Sequence, residues 1–107
     1  MDEVHWNDSL KVHVRLPDER WTHIVESHPE MNENLQCVIQ AIQNPDRIFY
    51  SESSDNFILI KGVESFISDN VLVYVKKEAD DAFVISAHPI SNKNMQKIEK
   101  KWTRVNP

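Results

Sequence analysis

The 107-residue chain contains one glycine and one cysteine. With Gly62 alone, neither a G-x-G-x-x-G turn nor a Walker A loop can be assembled, which excludes phosphate cradles of that kind. With Cys37 alone, there is no internal disulfide and no multi-cysteine zinc site. No apolar run approaches the roughly 20 residues that cross a bilayer as a helix, so no membrane partner is expected. The opening segment MDEVHWNDS is acidic and lacks an apolar stretch, which predicts no secretory signal and a cytoplasmic protein.

The composition is that of an ordinary folded domain, 40% hydrophobic and 27% charged. One domain over residues 1–107 is expected, with residues 1–8 as a flexible segment in which only Trp6 gains by docking. The net charge of −5 disfavours nucleic acid at face value, yet it is unevenly distributed. Residues 1–60 carry eleven acids against four bases, whereas residues 61–107 carry six acids against eight bases. The excess of cations sits in Lys93, Lys97, Lys100, Lys101 and Arg104, which suits either a solvated helix face or phosphate steering.

Hydrophobic periodicity sets out the elements. Leu10, Val12, Val14 and Leu16 alternate with Lys11, His13 and Arg15, which predicts a half-buried strand ended by Pro17. Trp21, Ile24, Val25 and His28 share one face of a helix that must stop before Pro29. Leu35, Val38, Ile39 and Ile42 form the stripe of a second helix, and Cys37 lies well away from its centre, which predicts a surface thiol. Four segments rich in β-branched and aromatic residues follow: Arg47–Ser51, Phe57–Val63, Val71–Lys77 and Ala82–His88. The short breaks between them, including Ser68-Asp69-Asn70, favour antiparallel neighbours. Met95, Ile98 and Trp102 mark the inward face of a closing helix. The expected fold is α+β: two N-terminal helices packed on a four- to five-stranded, mainly antiparallel sheet, with a C-terminal helix.

Five histidines in so short a chain invite acid–base chemistry. His23 and His28 are five apart, the wrong spacing for a helical metal pair, so no metal site and no cofactor are expected. Arg20, His23 and Ser27 form a stripe beside the first helix's apolar face, and His28 ends that helix, where the dipole suits a cation. Strict alternation groups Val84, Ser86 and His88 on one side of their strand, and Tyr74 with Lys76 on one side of theirs. Lys61 ends the apolar run Phe57-Ile58-Leu59-Ile60. A hydroxyl, an imidazole and an ammonium on adjacent strands suit a phosphate and its protons; polar residues on a solvated sheet face give the same pattern.

The run Glu19-Arg20-Trp21-Thr22-His23-Ile24, then His28-Pro29-Glu30, then Asn44-Pro45-Asp46-Arg47-Ile48, followed by the strands around Tyr74 and Ser86, resembles the phage-type branch of the Barnase–EndoU–colicin–RelE-like nucleases. The resemblance spans about residues 17–90. It implies two helices on a four-stranded antiparallel sheet and a metal-independent endoribonuclease in which the RNA 2′-hydroxyl attacks the adjacent phosphate. By position, the resemblance makes His23 the acid–base residue and Ser86 a phosphate ligand. Arg20, Lys61 or Lys76 would supply charge, and His28 with Glu30 would shape the site. Tyr74 and His88 would join Lys76 in substrate binding, with the role of His88 open. The implied partners are RNA, as tRNA or mRNA, and an antitoxin or other protein if the chain is the toxin of a toxin–antitoxin or phage system. The competing expectation is a non-catalytic binding or regulatory module on the same fold. A nuclease needs His23 and Ser86 in one cleft with a positive rim; a binding module exposes aromatics such as Trp6 or Tyr50 in an apolar patch.

Overall fold

The computed structural model describes residues 2–63 and 69–105; Ser68, within one of the expected breaks, lies outside them. Strand β1 (Glu3–Asn7) turns through Lys11, at φ 56°, into β2 (Val12–Leu16). Val12, Val14 and Leu16 are buried while His13 points to solvent, as alternation requires. Pro17 is extended and starts helix α1 (Asp18–Ser27), whose first turn carries Asp18 and Glu19 against the dipole's positive end. Pro29 closes α1 and opens a single 3-10 turn, Pro29–Met31, that buries Met31 completely. Asn34 then starts helix α2 (Leu35–Gln43), which buries Val38, Ile39, Ala41 and Ile42.

Strands β3 (Arg47–Ser51), β4 (Asn56–Gly62), β5 (Asn70–Glu78) and β6 (Asp81–Ile90) form an antiparallel meander. The tight connections place Asp55 and Ala79 at positive φ. Helix α3 (Asn92–Glu99) is capped by Ser91, whose hydroxyl accepts from the Asn94 N–H, and is tied to the sheet by Asn70 and Asp69. Strand β7 (Thr103–Val105) returns to pair with β3.

Among the described residues the sheet has seven strands in the order β1-β2-β6-β5-β4-β3-β7. One face carries α1, α2 and the larger core, built on Val14, Leu16, Ile24, Val38, Ile42, Leu59, Val73 and Val84. The opposite face carries α3 over a smaller core of Phe49, Ile58, Ile60, Leu72 and Met95. The arrangement is α+β, but the expected four- to five-stranded, mainly antiparallel sheet under two helices is corrected: the described residues form a seven-stranded mixed sheet with three α-helices on two faces. The mixture arises because β2 pairs with β6 in parallel, a pairing reached through the long connection from residue 17 to residue 80. Cys37 is also corrected: it lies half-buried against the larger core, its thiol 3.9 Å from Asn34 Oδ1.

Candidate active site

Strand β6 outruns β2. The two pair at Val14–Ala82 and Arg15–Phe83, while β6 continues to Ile90 with α1 packed against it. Within that stretch the ladder to β5 is irregular: Val84 faces Val75, Ser86 faces Tyr74, and Ile85 is the extra residue of a β-bulge. The bulge undoes the strict alternation expected here. Val84 joins the helix-side core, while Ser86 and His88 come to the α3 side, opposite Tyr74 and Leu72.

On that side Tyr74 Oη lies 3.1 Å from His88 Nε2, and His88 Nδ1 lies 3.1 Å from the Pro89 carbonyl oxygen. A carbonyl only accepts, so Nδ1 carries the proton and Nε2 accepts from the Tyr74 hydroxyl. Burial raises the Tyr74 pKa, keeping the phenol protonated near neutral pH. The His28 ring stacks beside His88 with centroids 5.5 Å apart and planes tilted by 31°. His28 is the C-cap of α1, its N–H donating to the Ile24 carbonyl, and its Nδ1 lies 3.5 Å from Glu30 Oε1. Trp102 meets Tyr74 edge-on at 6.2 Å, completing a row of four rings: His28, His88, Tyr74 and Trp102.

The structure brings together His28, His88 and Tyr74, and places Ser86 and Lys76 on the same sheet face. Lys76 Nζ donates to Asp55 Oδ2 at 2.9 Å and to its backbone oxygen. The other expected residues lie apart from this group, and the expected cleft holding both His23 and Ser86 is not formed. His23 is exposed on α1 between Glu19 and Glu26, 3.9 and 3.8 Å away, and Arg20 is exposed on the same helix. Lys61 stands opposite Val71 on the helix side of the sheet and pairs with Asp46 at 3.3 Å. The Gly62 N–H, foremost, and Lys61 hold the Asp46 carboxyl below its ordinary range.

The Tyr74–His88 bond and the contribution of Trp102 depend on register and on helix placement, which residue spacing does not reveal. The one sequence signal was that His28 and His88 each precede a proline. Pro29 leaves His28 at a helix end, and Pro89 supplies the carbonyl that orients His88. Among the described residues, no group of three His, Cys, Asp or Glu side chains could hold a metal ion, and no helix is long and apolar enough to cross a membrane. No family model, no curated protein and no solved structure matches this chain.

Proposed function

We propose that this protein is a metal-independent endoribonuclease in which His28 and the Tyr74–His88 pair, rather than His23, move the protons. The observation that carries the reading is the adjacency of two imidazoles in different hydrogen-bonding states. His88 is held with Nε2 as an acceptor by its bonds to Pro89 and Tyr74, and His28 stands beside the carboxylate of Glu30. A pair of titratable groups with distinct surroundings is the usual basis for separate acid and base roles. The RNA 2′-oxygen forms its bond to phosphorus while its proton passes to Tyr74 Oη, which gives its own proton to His88 Nε2. The bond from phosphorus to the 5′-oxygen breaks, and that oxygen takes a proton from His28. The products are a 2′,3′-cyclic phosphate and a free 5′-hydroxyl. Ser86, on the same face, would donate to a phosphate oxygen. The motif run resembles nucleases of the Barnase–EndoU–colicin–RelE-like group, which use the same reaction, but the acid–base role here falls on His28 and the Tyr74–His88 pair instead of His23.

The test is incubation of the purified protein with total RNA in excess EDTA, alongside His28→Ala, His88→Ala and His23→Ala. Cleavage is expected from the wild type and from H23A, with H28A and H88A slower by about 10²–10⁴-fold, the ordinary contribution of a positioned acid or base. Folded H28A and H88A proteins that cleave as fast as the wild type would overturn the assignment. A folded wild type that cleaves nothing would overturn the nuclease reading in favour of a non-catalytic module.

A further inference from the structure

The two free edges of the sheet are built differently. At one end β7 carries Arg104 and follows Lys100 and Lys101, charges of the kind that keep an edge strand from pairing with another chain. At the other end β1 has no lysine or proline, and its Val4 and Trp6 are 48% and 42% exposed, the only large hydrophobic side chains exposed to that degree among the described residues. Both point to the same face. Val4 stands opposite Arg15 and Trp6 opposite His13, while Glu3, His5 and Asn7 stand opposite the core residues Leu16, Val14 and Val12. Trp6 finds partial cover only from the edge of His13, with ring centroids 4.9 Å apart, and a 3.4 Å bond to Asp8.

We propose that β1 pairs antiparallel with β1 of a second copy of this chain about a two-fold axis at His5, joining two sheets into one. The register follows from the strand itself. Pairing about His5 sets each Val4 directly across from the other copy's Trp6, and each Glu3 across from the other's Asn7. Pairing about Val4 would set Trp6 across from Asp2, and pairing about Trp6 would set Val4 across from Asp8; each leaves an apolar side chain facing a carboxylate. Only the His5-centred register buries all four apolar side chains against one another, in the isologous manner of a two-fold interface. A five-residue strand pair buries less than the roughly 1,200 Å² of a standard interface, so the association is weak and concentration-dependent. This inference is independent of the nuclease reading.

Sedimentation of the wild type over a concentration series up to about 1 mM, high enough to populate a weak dimer, tests it. A monomer–dimer equilibrium is expected, lost in both V4K and W6E, with each variant's fold checked by circular dichroism and melting. Mixing V4K with W6E should restore association. The introduced ammonium then lies across from the introduced carboxylate, and the remaining Trp6 lies across from the remaining Val4. A wild type that stays monomeric throughout overturns the proposal, as do folded V4K and W6E proteins that associate like the wild type or a mixture that does not associate. A readout that needs no variant is amide exchange in the wild type. The β1 amides facing away from β2 should become protected as concentration rises, and fast exchange at every concentration overturns the pairing.

Discussion

Replacing Tyr74 by phenylalanine removes a single oxygen and leaves the ring that packs against Trp102 and His88. What is lost is the hydrogen bond to His88 Nε2, a neutral contact in a half-buried setting. Its net worth to stability is about 1 kcal/mol, equivalent to about 4–8 °C in melting temperature for a domain near this size. The proton route is affected far more. Without the phenolic oxygen, the 2′-hydroxyl has nothing to hand its proton to at that position, and the rate should fall by about 10²–10⁴-fold. The His88 tautomer should survive, because the Nδ1–H bond to the Pro89 carbonyl is untouched. The assay therefore has three arms: thermal melting, cleavage rate in EDTA, and imidazole nitrogen resonances by NMR. A small loss of stability, a large loss of rate and an unchanged protonated Nδ1 are expected. A Y74F protein that cleaves within a few-fold of the wild type would refute the relay. A switch of the His88 proton to Nε2 would refute the tautomer argument.

Other consequences are equally direct. Asn7 is buried, donating to the Ile42 carbonyl at the end of α2 and accepting from the Leu10 N–H, both at 2.8 Å. Asn7→Ala should destabilise the protein by about 1–3 kcal/mol, because the polar groups it serves lose their partners, as read by urea denaturation. Asp46 titrates below its ordinary range in the folded chain, chiefly through the Gly62 N–H, so its contribution to stability is present above the unfolded-state value near ~4 and is lost as pH falls through the folded one. Asp46→Asn should flatten the fall of stability on acidification in that range, measured by denaturation at a series of pH values; an unchanged slope would count against the assignment.

The half-buried strand β2, the two helices before the meander and the meander itself are legible because each shows a plain period of 2 or of 3.6. Strand β1 is not legible, because its pattern is inverted. The face turned to the core carries Glu3, His5 and Asn7, and the face turned to solvent carries Val4 and Trp6. Strand β7 spans three residues, too few to show a period. The parallel contact of β2 with β6 joins segments far apart in the chain, and no local signal reports it. In the candidate site the residue types were visible but their grouping was not. The bulge at Ile85 sends Val84 to one face and Ser86 and His88 to the other, so strict alternation groups the wrong three residues. His23 drew attention through its place in a motif, yet it stands among glutamates on the exposed side of α1, while His28 turns toward the sheet at the helix end. Cys37 is half-buried because α2 buries a broader arc than its four-residue stripe suggests, Ala41 included.

Cleavage of RNA through the chain's own imidazoles, with no metal required, is what the proposed site is built to do. The most direct measurement is end-group analysis of a mixed-sequence RNA after incubation with the wild type in excess EDTA. Fragments ending in 2′,3′-cyclic phosphate with free 5′-hydroxyls are expected. Intact RNA, or fragments bearing 5′-phosphates, would contradict it.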